Sequence, residues 1–107
     1  MKLSAPLRRG KRGIVVGCGQ LGALLAKDLC DEGYNITVID VDPEAMRRLD
    51  ESYSGYTVVA DGTDVDVLEA NGIGEADVLI ATTDLDNKNL MVSEVASRVY
   101  GVERVYL

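Results

Sequence analysis

Three glycines with the spacing of a phosphate-binding turn lie near the start of the chain, at Gly17, Gly19 and Gly22 in I-V-V-G-C-G-Q-L-G. This spacing suits a tight turn, a close approach of backbone to a pyrophosphate and close packing of a helix on a strand. A helix that begins here would present unpaired N–H groups and its positive dipole end to the phosphates. Ordinary tight turns share the spacing, so its meaning depends on the surrounding elements.

The surrounding elements alternate between buried strands and helices. Apolar runs predict strands over residues 13–17, 35–41, 56–60 and 77–81, and a fifth strand that begins in V-E-R-V-Y-L. Helical spacing predicts helices over 20–32, from Pro43 through Leu49, over 64–71 and over 86–100. This alternation predicts an α/β, Rossmann-like fold, which is a doubly wound parallel sheet with helices on both faces. The glycines then directly follow a buried strand and begin a helix, as a nucleotide site requires.

Two helices carry apolar residues at helical spacing. In the first helix these are Leu21, Leu24, Leu25 and Leu29, and in the last they are Leu90, Val92, Val95, Ala96 and Val99. Of the last set, we expect Val92, Val95, Ala96 and Val99 to face the sheet. Met91 and Tyr100 lie off that stripe. Asp84 or Asp86 is expected to cap the last helix, and Asn87 and Asn89 in its first turn could reach a ligand but more often face solvent.

An acidic residue stands where a dinucleotide site needs one. Asp40 ends the second strand, 18 residues after Gly22, where a carboxylate can accept hydrogen bonds from ribose hydroxyls. Its alternative role is to cap the next helix, but Asp42, just before Pro43, suits that role better. A carboxylate at Asp40 repels a 2′-phosphate and no Arg follows immediately, which disfavours NADP.

Two further loops follow the third and fourth strands, at the edge where such sheets bind ligands. In A-D-G-T-D, Asp61 could meet the adenine or ribose and Gly62 allows close approach, while Thr63 or Asp64 could instead cap a helix. In the later segment A-T-T-D, Thr82 and Thr83 would face a phosphate or a second ribose. A capping turn fully explains Thr63, so the role of the first loop stays open between the two readings.

Composition and charge exclude several classes of protein. The 107-residue chain has no His, two Cys and no apolar run near the roughly 20 residues of a membrane span. Five basic residues fall in the leader over residues 1–12, whereas residues 13–107 hold six basic and eighteen acidic side chains, a net charge of −12. We therefore expect no nucleic-acid binding, no membrane insertion, no metal site and a cytoplasmic location. The leader could contact anionic lipid head groups or an acidic partner, but we expect it to be a solvated tail.

Longer motifs resemble one family. G-C-G-Q-L-G, V-I-D-V-D-P-E, A-D-G-T-D with V-L-E-A-N-G-I, and L-I-A-T-T-D-x-D-x-x-N-L are similar to the nucleotide-binding domain of the Trk and Ktr potassium-transport regulators, the RCK N-terminal domain. The resemblance covers about residue 12 to the end of the chain. It implies that residues 13–107 form this domain, which in the family continues past the fifth strand and so would here be truncated. Gln20 stands where the family has Gln or Arg, and with Gln a charge-assisted phosphate contact is absent.

The motifs and the resemblance together imply a nucleotide site for NAD(H) or an adenine nucleotide (ATP, ADP or AMP), with no catalytic and no metal-binding residue. The predicted binding residues are Gly17, Cys18, Gly19, Gln20, Leu21, Gly22, Asp40, Val41, Asp42, Asp61, Gly62, Thr63, Thr82, Thr83 and Asp84.

Two classes of function follow from these observations. The first is a regulatory module that binds a nucleotide and acts on the membrane subunit of a potassium channel or transporter, at the inner face of the membrane, as a homodimer or larger ring. The second is the cofactor half of an NAD-dependent dehydrogenase, which needs an acid–base residue at the nicotinamide. The chain has no His for that task and no obviously placed Lys, which favours the regulator. A redox sensor acting through Cys18 is a third and weaker hypothesis.

Overall fold

A single parallel sheet forms the centre of the molecule. The computed structural model describes residues 11–107, so the predicted basic leader lies outside the described residues except for Lys11 and Arg12. The strands are β1 (Arg12–Val16), β2 (Asn35–Asp40), β3 (Tyr56–Val59), β4 (Val78–Ala81) and β5 (Arg104–Tyr106), in the order β3-β2-β1-β4-β5. Every described pairing is parallel. The predicted Rossmann-like architecture is confirmed, and each strand lies within two residues of its predicted bounds.

Helices pack on both faces of this sheet. They are α1 (Gln20–Asp31), α2 (Val65–Ala70) and α3 (Asp86–Glu94), which continues as a π-helical turn over Val95–Val99, with 3₁₀ helices over Pro43–Arg48 and Ile73–Glu75. The chain runs from β1 outward to β3 and then returns to β4 on the other side of β1. The order of the strands therefore reverses between β1 and β4, the position at which sheets of this kind bind ligands at their carboxyl ends.

Small residues, and not the predicted leucines, bring α1 onto the sheet. The buried residues of α1 are Gly22, Ala23 and Ala26, whereas Leu21 and Leu24 are 57% and 56% exposed. Helical spacing therefore does not by itself place these two leucines on the sheet. A methyl group on Gly22 would collide with the carbonyl oxygen of Gly17, so the helix approaches too closely for larger side chains on that face. Leu25 and Leu29 flank the contact and pack against the core beside it.

The face that α3 buries also differs from the predicted stripe. Val92 and Ala96 are buried as expected, but Leu90 and Val99 are exposed, and the polar Asn89 and Ser93 are buried beside Val92. The four buried positions are 89, 92, 93 and 96, and they share one face of the helix. The predicted apolar set, which includes residues 90 and 99, does not lie on a single face. Burial of Ser93 is compatible with its polarity because its hydroxyl donates to the carbonyl of Asn89 at 2.7 Å.

Candidate functional site

A cavity of about 430 Å³ opens at the carboxyl ends of the central strands, where the order of the strands reverses. It is lined by Val16, Gly17, Cys18, Gly19, Ile39, Asp40, Val41, Asp42, Ala45, Arg48, Asp61, Gly62, Thr63, Thr82, Thr83, Asp84 and Lys88. Of the predicted site residues, only Gln20, Leu21 and Gly22 do not line the cavity. These three form the first turn of α1, directly behind the turn that Gly17 and Gly19 make.

The three glycines of the turn differ in the structural reason for which a glycine suits each position. Gly17 has a φ of +105°, and a side chain there would meet the backbone of Thr82 at 2.7 Å. Gly22 packs against the carbonyl oxygen of Gly17 and leaves no room for a methyl group. A methyl group on Gly19 would meet nothing within 4 Å, because this position faces open space. Gly17 and Gly22 are therefore required by the fold itself, while Gly19 leaves room for a ligand to approach the backbone.

The amino end of α1 is open to an anion. Gly19 is the N-cap residue and provides no side-chain hydrogen bond, and no acidic residue lies in the first turn. The first backbone bond of the helix runs from the N–H of Ala23 to the carbonyl of Gly19 at 2.9 Å. The N–H groups of Gln20, Leu21 and Gly22 thus have no partner within the helix, and the positive end of a twelve-residue helix is not neutralised by its own side chains.

Asp40 joins the end of β2 to the glycine turn. Its Oδ2 accepts a hydrogen bond from the N–H of Cys18 at 2.7 Å, and its Oδ1 accepts one from the N–H of Asp42 at 2.8 Å. Asp42, and not Asp40, caps the 3₁₀ helix by accepting from the N–H of Glu44 at 2.9 Å. A carboxylate has about four acceptor positions, so both oxygens of Asp40 can accept further hydrogen bonds from a ligand.

The loop after β3 combines a self-contained turn with a close backbone approach. Oδ1 of Asp61 accepts from the N–H of Thr63 at 2.9 Å and from its hydroxyl at 2.6 Å, and these bonds lower the pKa of Asp61. Asp64 caps α2 by accepting from the N–H of Asp66 at 2.9 Å. Gly62 is buried against Val16, where a methyl group would not fit. Thr63 therefore closes the turn, and the exposed Asp61 is one of the residues that line the cavity.

The loop after β4 is held by a buried asparagine that sequence reasoning placed in solvent. Asn89 is only 8% exposed, so the expectation that it faces solvent is wrong. Its Oδ1 accepts from the N–H and hydroxyl of Thr83 at 2.8 and 2.6 Å, and its Nδ2 donates to the carbonyl of Thr83 at 3.1 Å. The hydroxyl of Thr82 donates to the carbonyl of Gly17 at 3.1 Å. Both threonine hydroxyls thus have partners within the protein and fix the loop beside the turn.

The predicted caps of α3 are also wrong. The N-cap residue is Leu85, which has no capping side chain, while Asp86 is the first residue of the helix and Asp84 lies in the loop before it. Asp84 is free of that role and lines the cavity with an exposed side chain. The hydrogen bonds between Thr83 and Asn89 fix the start of α3 instead. In the sequence, the only signal of this role is a Thr six residues before an Asn, with the start of the helix between them.

The TrkA-N domain family model matches residues 13–107, nearly the whole chain. The chain belongs to the TrkA-N domain family. It is similar to curated proteins named Trk system potassium uptake protein TrkA, with 40% identity over 92 residues to that of Streptomyces coelicolor and 33% over 87 residues to that of Vibrio alginolyticus. A TrkA homolog from Pyrococcus abyssi is 34% identical over 86 residues. These alignments cover 86%, 81% and 80% of the chain but only 41%, 19% and 38% of the relatives.

Solved structures share the fold of this TrkA-N domain at low sequence identity. A putative D-mannonate oxidoreductase from Haemophilus influenza with bound NAD has a TM-score of 0.58 and 19% identity, covering 86% of this chain and 49% of that one. A TehB-like SAM-dependent methyltransferase from Corynebacterium glutamicum has a TM-score of 0.55 and 18% identity, covering 94% and 54%. At these identities the likeness establishes the fold alone.

Two basic residues that the sequence motifs did not include also line the cavity of the TrkA-N domain. Arg48, at the end of the 3₁₀ helix, donates from its guanidinium to the carbonyl of Cys18 at 3.3 Å. Lys88 lies in the first turn of α3 and is close enough to Asp61 to help lower the pKa of that carboxyl group. Neither residue belongs to a recognisable local motif, because the fold alone brings their elements to the glycine turn.

The two cysteines are free thiols, and Cys18 is fully buried. Burial raises the pKa of Cys18, the nearby Asp40 carboxylate raises it further, and Arg48 opposes the shift. A buried thiol whose pKa is raised is a poor nucleophile at neutral pH, which is the opposite of what a redox sensor at a helix amino end needs. Cys18 thus serves as a small packing residue beneath the turn.

Metal-binding clusters and membrane-spanning helices are both absent from the described part of the chain. Among residues 11–107, no group of three or more His, Cys, Asp or Glu side chains could hold a metal ion. Over the same residues, every helix is too short or too polar to span a lipid bilayer.

Proposed function

We propose that this TrkA-N domain binds NAD(H) or an adenine nucleotide (ATP, ADP or AMP) in the cavity at the carboxyl ends of the strands. The hydrogen bond between Asp40 and the N–H of Cys18 carries the proposal. It fixes a carboxylate beside an uncapped helix amino end, so a ribose acceptor and a phosphate site are adjacent, as the ribose and phosphate are in a nucleotide.

The phosphates would lie over Gly19, where the backbone is open to solvent and the free N–H groups of α1 can donate to them. The ribose hydroxyls would donate to the remaining acceptor positions of Asp40. Lys88 and the side chains of the loop after β4 lie across the cavity, where the second half of a dinucleotide or further phosphates would extend. With this order of groups, the base would lie beyond Asp40, toward β3.

The domain regulates potassium transport, in this proposal, and does not catalyse a reaction. Its curated relatives are named as Trk system potassium uptake proteins, and the chain spans about two fifths or less of their lengths. The contact with the membrane subunit of a potassium channel or transporter, at the cytoplasmic face of the cell membrane, would have two states. Ligand binding would shift the equilibrium between them. The cofactor half of a dehydrogenase remains the alternative, but its only structural support is a fold shared with an NAD-bound oxidoreductase.

Self-association as a homodimer or larger ring is part of the proposal. Large apolar side chains remain exposed on α3 and on the outer strand β5, including Leu90, Met91, Val99 and Tyr106. Tyr100, in contrast, is half-buried against the core, and its hydroxyl donates to Glu69 at 2.6 Å. A second copy that covers the exposed side chains would remove apolar surface from water.

Calorimetric titration of the protein with ATP, ADP, AMP, NAD and NADH in parallel tests the proposed ligand. We expect at least one of them to bind with one site per chain, and tripolyphosphate, which lacks the nucleoside, to bind more weakly than ATP. Absence of binding by all five at millimolar concentration contradicts the proposal. NADH oxidation by the protein with any added carbonyl substrate would favour the dehydrogenase alternative.

A further inference from the structure

Arg48 lies where the base of a bound nucleotide must go if the proposed function is right. The glycine turn and Asp40 mark successive positions for phosphate and ribose, running from α1 toward β2. Beyond Asp40, the lining of the cavity continues with Val41, Asp42, Ala45 and Arg48. The base therefore meets two aliphatic side chains, one carboxylate and one guanidinium.

The geometry of the 3₁₀ helix directs Arg48 toward this part of the lining. Side chains three residues apart eclipse one another in a 3₁₀ helix, so Arg48 lies on the same face as Ala45, which is buried. The guanidinium reaches back over the turn and donates to the carbonyl of Cys18. Its neighbour Arg47 lies on the outward face, where it pairs with Glu44 at 3.2 Å and both side chains are highly exposed.

The lining of the cavity contains no Tyr among the described residues, and the sequence has no Phe, Trp or His. A purine bound there has no aromatic ring on which to stack. Guanidinium planes stack on bases in the same way that aromatic rings do, and they retain their charge while doing so. We propose that the Arg48 guanidinium, held by the Cys18 carbonyl, is the surface on which the adenine base stacks.

The test compares ligands that differ only in the base. AMP and ribose 5-phosphate share the ribose and the phosphate, so a residue that only supports the glycine turn affects both equally. We expect Arg48→Gln to weaken AMP binding roughly tenfold, a typical size for base stacking, and to leave ribose 5-phosphate binding unchanged. Arg48→Lys, which keeps the charge without the plane, is expected to restore only part of the AMP affinity. Arg47→Gln is the matched control and is expected to bind both ligands as the unmodified protein does.

Nuclear magnetic resonance titration measures these weak affinities and adds a direct signature. The Nε–H resonance of Arg48 is expected to move upfield when AMP is added, because the ring current of a stacked purine shields it, and not when ribose 5-phosphate is added. Equal losses for both ligands in Arg48→Gln, or full AMP affinity in Arg48→Gln or in Arg48→Lys, overturn the stacking role. Loss of NADPH affinity with AMP affinity retained also overturns it and assigns Arg48 to a 2′-phosphate. Failure of the unmodified protein to bind any adenine nucleotide is a different result, since it contradicts the proposed function itself.

Discussion

The N–H of Cys18 donates to Oδ2 of Asp40 at 2.7 Å, which ties the middle of the glycine turn to the end of β2. The two residues are 22 positions apart in the sequence, and each belongs to a separate motif of the proposed nucleotide site. The bond gives Asp40 a structural role in addition to any contact with a ribose. Loss of the carboxylate must therefore affect both the turn and the ligand.

Replacing Asp40 with Ala is expected to reduce both nucleotide affinity and stability. Without the carboxylate, the N–H groups of Cys18 and Asp42 lose their acceptor, which costs about 1–3 kcal/mol where the group stays away from water. Affinity for every ribose-containing ligand should fall by roughly one to two orders of magnitude. Urea denaturation and calorimetric titration measure the two effects separately.

Asp64→Ala is the control for this variant. It removes the cap of α2, at a cost of about 1 kcal/mol, but lies outside the lining of the cavity and leaves the ribose acceptor in place. If Asp40→Ala bound nucleotides as tightly as Asp64→Ala does, Asp40 would have no place in the site.

Gly19 and Gly22 are expected to respond oppositely to a methyl group. Gly22→Ala collides with the carbonyl of Gly17 and should destabilise the fold by roughly 1–3 kcal/mol, the range for overpacking. Gly19→Ala meets nothing in the protein, so stability should be retained while the methyl group obstructs the phosphates and nucleotide affinity falls. Thermal unfolding and titration of the two variants check this contrast. Normal nucleotide binding by Gly19→Ala would move the proposed phosphate position away from the turn.

The sequence was sufficient to predict the sheet and most of the cavity. The strands and the turn follow from local signals: buried β-branched runs, glycine spacing and an acid at the end of β2. The faces of the helices were harder to predict because they depend on how closely each helix approaches the sheet. Apolarity alone favoured Leu21 and Leu90, whereas the sheet receives Gly22 and Asn89. The position of Arg48 in the cavity was not predicted, because its contact with Cys18 joins two residues that are 30 positions apart and lie on different elements of the fold.

Asn89→Ala is expected to destabilise the loop that follows β4. The substitution removes the acceptor of the Thr83 N–H and hydroxyl and the donor to the Thr83 carbonyl, at a site that is almost fully buried. A loss of about 1–3 kcal/mol in the free energy of unfolding follows if one of these groups stays unsatisfied. Asn87→Ala, in the same helical turn but exposed, is the matched control and should change stability by less than about 0.5 kcal/mol. Equal stabilities of the two variants would contradict the role assigned to Asn89.

The thiols should make the protein less stable as the solution becomes alkaline. Burial raises the pKa of both Cys18 and Cys30, so the folded protein holds these protons more tightly than the unfolded chain does. The resulting stability is fully present below the unfolded thiol pKa, about 8.5, and is lost as pH rises through the folded values. Urea denaturation between pH 7 and pH 10 should show this decline, and a Cys18→Ala, Cys30→Ala double variant should show a smaller one. A double variant with the same pH profile as the unmodified protein would exclude the thiols as its cause.

Charge on the exposed apolar face of α3 should prevent self-association. Leu90 and Met91 are both about half exposed, and a carboxylate at either position would have to be buried in any interface that covers them. Light scattering of the unmodified protein, with and without ATP or NADH, is expected to give at least a dimer, and Leu90→Glu with Met91→Glu is expected to give a monomer. Glu94→Gln provides a control on the same helix, because Glu94 is exposed and pairs only with Arg98 among the described residues. Neither Leu90 nor Met91 belongs to the core. The double variant should therefore unfold at the same temperature as the unmodified protein, except for the stabilisation that the lost interface provided. A monomer at high concentration under every condition would contradict the proposed self-association, and a dimer that persists in the double variant would place the interface elsewhere.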